Sequence, residues 1–203
     1  MKLYYVPGAS SLFPHIVLVE SGLIFDAVKV DERKKALEDG GDYRAVNPLG
    51  YVPALQLDDG SVLTEAASIT QYVADRVPAK KLAPPNGTLA RAKLQSWLNF
   101  TSAEMHSGCF CPLFDREIPL ATKTIFRRRL DSRLAHVEQH LSQNAYLLGN
   151  HFSIADVYLF VVSNWARSVG LDLSPYPGIL ALRKRVGLRP AVQEAMRREN
   201  LVS

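Results

Sequence analysis

The stretch that decides the fold is Val52-Pro53-Ala54-Leu55-Gln56-Leu57-Asp58-Asp59-Gly60-Ser61-Val62-Leu63-Thr64-Glu65. Two short β-forming runs flank Asp58-Asp59-Gly60, a hairpin signal, because Asp-Gly tolerates the positive φ of a tight reversal. From Glu65 to Val77 the apolar residues Ile69, Tyr72 and Val73 recur at helical spacing, so the hairpin runs into a helix.

Upstream, Leu3 to Val6 is a β-rich run that ends at Pro7-Gly8. Leu12 to Glu20 reads as a helix, with Ser10 or Ser11 as cap and Gly22 as terminator. Pro14 falls in its first turn, where the missing N–H matters least. Phe25 to Val30 is a second strand, and the charged stretch from Asp31 to Asp42 is expected to be helical at best in part. The order β-α-β-(α)-β-β-α lets the first two strands pair in parallel through a helical crossover and the last two pair antiparallel. That is a thioredoxin-like α/β arrangement.

Downstream, residues 78–88 read P-A-K-K-L-A-P-P-N-G-T, and three prolines and a glycine make a stiff linker. Beyond it the periodicity is helical throughout. Leu94, Trp97, Leu98, Thr101 and Met105 fit one face; Phe126, Leu130, Leu134, Val137 and Leu141 fit another. Ser153 with Asp156 three residues on, and Phe152 with Val157, predict a capping box and staple before a buried central helix. Gly187 to Pro190 separates two further short helices. The expected division is residues 1–78 for the α/β domain, 79–88 for the linker and 89–203 for an all-α domain.

The 203 residues are 47% hydrophobic and 22% charged, an ordinary globular balance. A net charge of +4 is too mild to indicate nucleic acid, though it favours a small anionic ligand. The two cysteines, Cys109 and Cys111, are too close to staple a fold, which points to a reducing compartment. Pro7, Gly8, Ser10 and Ser11 interrupt any signal-peptide core, and no apolar run approaches the ~20 residues of a membrane span. A cytoplasmic chain without membrane or nucleic-acid partners is expected. His136 and His140 lie at i, i+4, but the metalloprotease motif is absent between them, and no metal site is expected.

Several of these motifs together resemble the glutathione transferase family. They are Val52-Pro53 before a strand, Leu63-Thr64-Glu65, and Phe152-Ser153-Ile154-Ala155-Asp156. The opening Lys2-Leu3-Tyr4-Tyr5-Val6-Pro7-Gly8-Ala9-Ser10-Ser11-Leu12 resembles the bacterial beta class, as do Asn47-Pro48, Gly50-Tyr51-Val52-Pro53-Ala54-Leu55 and Trp97-Leu98-Asn99-Phe100. The resemblance runs through both domains. It implies a thioredoxin-like N-terminal domain, an all-helical C-terminal domain, and a glutathione site between them. Three positions depart from the pattern: Ser10, where beta-class enzymes typically carry cysteine; Ala66, where serine is common; and the Ser107-Gly108-Cys109-Phe110-Cys111 stretch.

The chemistry sets what such a site needs. A thiolate is the nucleophile, and a free thiol of pKa ~8.5 is only a few per cent ionised at neutrality. Lowering it by about two units requires roughly 2.7 kcal/mol of preferential stabilisation of the anion, which hydrogen-bond donors and a helix N-terminus can supply. Ser10 and Ser11 lie where the first strand turns into the first helix. They are read either as caps or as hydroxyl donors to the sulfur. The resemblance implies a cis bond at Pro53, with the Val52 backbone holding the cysteinyl part of glutathione like an added strand. It assigns Glu65 to the γ-glutamyl ammonium, the Ala66 N–H to the neighbouring carboxylate, and Lys35 to the glycyl carboxylate, with Tyr51 beside them. Glu65 also suits the dipole of its helix without any ligand, and Lys35 also reads as one of a solvated run of basic residues. Asn99, Ser102 and His106 fall at i, i+3 and i+7, a polar stripe that the resemblance turns toward the glutathione site. His106 is then an acid–base or thiol-orienting group.

The expected activity is attack of bound glutathione on a small apolar electrophile, in a pocket lined by Leu12, Phe13, Phe110 and Phe114. Glutathione is a co-substrate, no tightly bound cofactor is expected, and the resemblance implies a homodimer and a detoxifying role. The alternatives are a glutathione-dependent disulfide or peroxide reductase, weakened by the missing cysteine at 10, and a non-catalytic binder of glutathione or apolar ligands.

Overall fold

β1 (Lys2–Tyr5) buries Leu3, Tyr4 and Tyr5. α1 (Leu12–Ser21) crosses over to β2 (Asp26–Asp31), which runs parallel to β1 with Tyr4 opposite Val28. Gly22 ends α1 in the left-handed region at φ 75°, its N–H on the Val19 carbonyl. β4 (Ala54–Gln56) and β5 (Val62–Thr64) form the expected hairpin, Leu55 opposite Leu63. Its reversal is closed by Gly60, at φ 87°, donating to the Leu57 carbonyl. β4 also pairs antiparallel with β1, and α2 (Ala66–Arg76) follows β5. This computed structural model describes residues 1–202.

The connection from β2 to β4 differs from the reading of residues 31–42. It contains no α-helix. The chain turns back on itself, and β3 (Ala36–Leu37) pairs with the end of β2, completing a mixed sheet in the order β3-β2-β1-β4-β5. A single 3₁₀ turn, Tyr43–Ala45, follows. The Asp31 carboxylate accepts the N–H groups of Arg33 and Lys34, both at 3.0 Å, and so fixes a turn where helix hydrogen bonds would otherwise form.

In the helical part, α3 (Leu89–Asn99) is capped by Thr88, whose hydroxyl accepts the Arg91 N–H at 3.1 Å. The next eleven residues, Phe100–Phe110, are wound more widely, with i→i+5 bonds: the Cys111 N–H reaches the His106 carbonyl. α4 (Cys111–Phe114), α5 (Leu120–Leu141), α6 (Ile154–Asn164) and α7 (Pro177–Gly187) complete it. α6 is buried from Ile154 to Ser163, as its nearly all-apolar sequence requires. At its start Asp156 accepts three bonds: from Leu147 N–H at 2.7 Å, Ser153 N–H at 2.8 Å and the Ser153 hydroxyl at 3.0 Å. Burial nevertheless outweighs these donors and pushes its carboxyl up to about 6.

Two compact units result: residues 1–82 with the stretch from 188 onward, and residues 83–187. Within the first of these, α8 (Pro190–Arg198) packs on α1, with Val192 and Ala195 fully buried and Arg189 forked onto Glu20. Among the described residues, no helix is long and apolar enough to cross a membrane.

Candidate active site

The register of the sheet gathers the predicted residues of the first unit at one edge. β1 leads into the Ser10 turn just past Tyr5; β4 begins at Ala54, opposite Tyr4, directly after Val52-Pro53; β5 ends at Thr64, opposite Ala54, directly before Glu65. β2 is parallel to β1, so Lys35 also follows a strand that ends on this side.

Ser10 and Ser11 separate sharply. Ser11 is fully buried; its hydroxyl donates to the Val6 carbonyl and accepts the Val6 N–H, both at 3.1 Å. It stands at the cap position in helical geometry, φ −64° and ψ −19°, without capping any helix N–H. Of the two serines read as candidate caps, Ser11 does not cap, because the Val6 peptide groups hold its hydroxyl away from the helix N–H groups. The Ser10 hydroxyl is part-buried and donates to the Val52 carbonyl at 3.2 Å. The Leu12 and Phe13 N–H groups bond back to Ala9 and Ser10, while those of Ser10 and Ser11 have no acceptor among the described residues. The first turn of α1 thus offers two open donors beside one hydroxyl.

Across from Ser10, the Val52–Pro53 bond is cis. The Val52 N–H has no partner among the described residues, and its carbonyl, bonded to Ser10, keeps a second lone pair. Two groups that the sequence reading left without a role hold the preceding peptide. The Tyr43 hydroxyl, at 2.8 Å, and the Asn47 side-chain amide, at 2.7 Å, both donate to the Tyr51 carbonyl. Tyr43 is fully buried, and burial pushes its phenol up to about 12, so it remains a donor. Asn47 carried a signal only through the Asn47-Pro48 motif of the resemblance, without a role, and Tyr43 was one aromatic in a polar loop, too common to single out. The Tyr51 ring is 67% exposed, with the Lys35 ammonium 6.0 Å from its centre. The Lys35 stem lies against Gly50, where a Cβ would meet its Cδ at 3.2 Å.

Glu65 is exposed and precedes α2 at φ 66°, ψ 113°, a conformation unusual for a side chain with a Cβ. Such strain costs on the order of 1–3 kcal/mol and gathers at functional positions. The Ala66 N–H opens the helix and has no preceding turn to bond.

In the second unit the wide winding of Phe100–Phe110 changes the reading of the polar stripe. α-helical spacing holds only to Asn99, which is exposed at the end of α3, so the i, i+3, i+7 argument no longer places Asn99, Ser102 and His106 on one face. His106 instead turns to other elements. Its Nδ1 lies 2.9 Å from the Tyr158 hydroxyl, and its ring meets Trp165 at a centroid separation of 4.8 Å. Burial lowers it to about 4, so the imidazole is neutral at pH 7. Phe110, Phe114 and Trp165 form an aromatic cluster alongside, with Phe110 and Phe114 5.6 and 5.8 Å from the Trp165 ring. Of the predicted electrophile-pocket residues, Phe114 is 42% exposed, while Leu12, Phe13 and Phe110 are buried. Trp165 stands just past the end of α6. Cys109 is buried, its thiol donating to the Glu104 carbonyl, and burial pushes it up; the Cys111 thiol is also raised by desolvation.

This geometry has counterparts. Residues 11–76 match the family model described as glutathione S-transferase, N-terminal domain, and residues 88–196 match that of the C-terminal domain. The glutathione S-transferase GstA of Escherichia coli O157:H7 is 47% identical, with 99% of this chain and 100% of that protein covered. A ternary complex of BphK, a bacterial glutathione S-transferase, superposes with a TM-score of 0.97 at 53% identity, covering 98% of this chain and 100% of that one. A sphingomonad glutathione S-transferase complexed with glutathione gives 0.95 at 42% identity over the whole of both chains. A beta-class enzyme from Sphingomonas chungbukensis gives 0.96 at 44% identity, again over both whole chains. Carried over nearly its full length by matches to both domains, the chain belongs to the glutathione S-transferase family.

Proposed function

We propose that the first unit binds glutathione at the sheet edge described above and stabilises its thiolate for attack on small apolar electrophiles. The observation that carries this reading is the open peptide at Val52 facing the Ser10 hydroxyl and the two free N–H groups of the α1 turn. A cysteinyl residue laid against Val52 as an added strand gives its N–H to the Val52 carbonyl and takes the Val52 N–H. Its sulfur then lies by the Ser10 turn: the ligand N–H takes over the Val52 carbonyl, the single Ser10 hydroxyl proton turns from that carbonyl to the sulfur, and with the two open N–H groups it favours the anion. Lys35 takes the glycyl carboxylate, Glu65 the γ-glutamyl ammonium and the Ala66 N–H the adjacent carboxylate; Tyr51 flanks the ligand through its backbone. In the second unit Asn99 is an exposed amide and His106 a neutral dipole rather than an acid. Phe114 and Trp165 receive the electrophile, while buried Leu12, Phe13 and Phe110 support the surrounding structure.

Conjugation is favoured over disulfide or peroxide reduction because Ser10 cannot form a mixed disulfide and neither cysteine is a ready thiolate. A homodimer in the cytoplasm, acting in detoxification, is the biological setting that goes with this reading.

The test is a spectroscopic titration of the bound thiol. Ser10→Ala is expected to raise its pKa by about one unit, or about 1.4 kcal/mol, and Ser11→Ala to leave it unchanged. If neither moves it, or if only Ser11→Ala does, the assignment of the donor is wrong.

A further inference from the structure

Two contacts tie α8 to opposite ends of α1, and one of them reaches the Ser10 turn. At the far end the Arg189 guanidinium forks onto Glu20, Nε to Oε1 at 2.5 Å and Nη2 to Oε2 at 3.1 Å. At the near end Glu199, 2% exposed, divides its oxygens: Oε2 accepts the Gly8 N–H at 2.9 Å, and Oε1 lies 2.7 Å from His15 Nδ1. His15 is fully buried, its ring 5.5 Å from Tyr5 and 5.6 Å from Phe25. Burying a carboxylate is expensive, and apolar side chains of similar volume would hold α8 on α1 at least as well. What an apolar pair could not provide is an acceptor for Gly8. That residue stands two before Ser10 at φ 71°, outside any strand or helix, with a Leu201 methyl 3.4 Å from the place a Cβ would occupy.

We infer that Glu199 is a positioning residue for the thiolate turn: from the end of the last helix it fixes Gly8, and through Gly8 the hydroxyl of Ser10. His15 orients Glu199 by engaging one oxygen and leaving the other for Gly8. Neither residue touches substrate, and the inference rests on the reading of Ser10 as the donor to the thiol.

The decisive measurement is the coupling between the two positions. The thiol of bound glutathione is titrated by its thiolate absorbance in wild type, Ser10→Ala, Glu199→Leu and the double variant; leucine removes the acceptor for Gly8, which glutamine would keep. Ser10→Ala is expected to shift the thiol pKa by about one unit in the wild-type background, and by less than about 0.3 once Glu199→Leu has released the turn. An equal shift in both backgrounds overturns the inference and leaves Glu199 a structural group only. If Ser10→Ala shifts nothing in wild type, the donor assignment has failed, and amide exchange of the free protein decides on Glu199 separately. Exchange at Gly8 and Ala9 at least about tenfold faster in Glu199→Leu, with α1 unaltered, keeps Glu199 as holder of the turn; unaltered exchange there overturns it. Should Glu199→Leu fail to fold, Glu199→Asp carries the same measurements, being one methylene too short to span Gly8 and His15 together.

Discussion

The Ser10 turn of the first unit and the Phe100–Phe110 segment of the second are built on opposite plans. The turn presents backbone: open N–H groups at Ser10 and Ser11 and the Val52 peptide. Side chains hold it from behind: Tyr43 and Asn47, within eight residues of the Tyr51 carbonyl they bond, and Glu199, 191 residues from Gly8. The wide helix does the reverse, closing its backbone bonds internally and presenting side chains, His106 above all. A surface made of peptide groups tolerates change at the contact itself. Ala66, for example, lacks the hydroxyl common in the family yet keeps its N–H. It is vulnerable at the supports. A surface made of side chains is vulnerable at the contact and at whatever sets the winding beneath it.

The largest effect expected from this contrast is at Gly108. A Cβ there would lie 2.5 Å from the Ala103 carbonyl oxygen, a backbone atom that cannot step aside. Gly108→Ala should therefore destabilise the protein by about 3 kcal/mol in urea unfolding, while the Ser10 turn and the Val52 peptide of the first unit keep their geometry. A stability change under about 0.5 kcal/mol would show that the wide winding does not depend on the glycine. Next comes Ser11→Ala, which strands the Val6 N–H and leaves its carbonyl with the Ala9 N–H alone; it should cost about 1 kcal/mol without moving the thiol pKa. Ser10→Ala should do the opposite, leaving stability within about 0.5 kcal/mol. If the two serines behave alike in either measurement, the separation of support from contact in the turn is lost.

The same contrast governs what could be read from sequence. The hairpin, the capping box before α6 and the glycine stop after α1 depend on neighbours within a few residues, and these are legible as patterns. The Val52 and Glu65 positions are legible through the family motif. The supports are not. Glu199 lies 191 residues from Gly8, and nothing local distinguishes its acid from Glu194 in the charged last helix. Helical spacing also presumed 3.6 residues per turn through residue 106, and no residue type announces i→i+5 winding; Gly108 is its one visible trace, intelligible only with Ala103 in view. The loop at 31–42 was misjudged because Asp31 can cap a turn as readily as a helix.

The smallest expected effect is a pH dependence in which two buried groups of the second unit oppose each other. His106 is lowered from 6.5 to about 4 by burial, so the unfolded chain takes up the proton first. Its contribution to stability is present above pH 6.5 and is lost as pH falls toward 4. Asp156 is raised from 3.8 to about 6, again by burial, so the folded chain holds the proton more tightly; its contribution is present below about pH 4 and is lost as pH rises through 6. The exposed carboxylates of Asp31, Asp42 and Asp172 are lowered and act only below about pH 4. Between pH 4 and 6 the wild-type stability curve should therefore be nearly flat. His106→Asn removes one of the two slopes, and stability should then fall with rising pH across that window, by at most about 1.4 kcal/mol per pH unit. Stability that instead rose with pH in the variant would mean that the three donors on Asp156 outweigh its burial, and that the start of α6 is held by a carboxylate at every pH above 4.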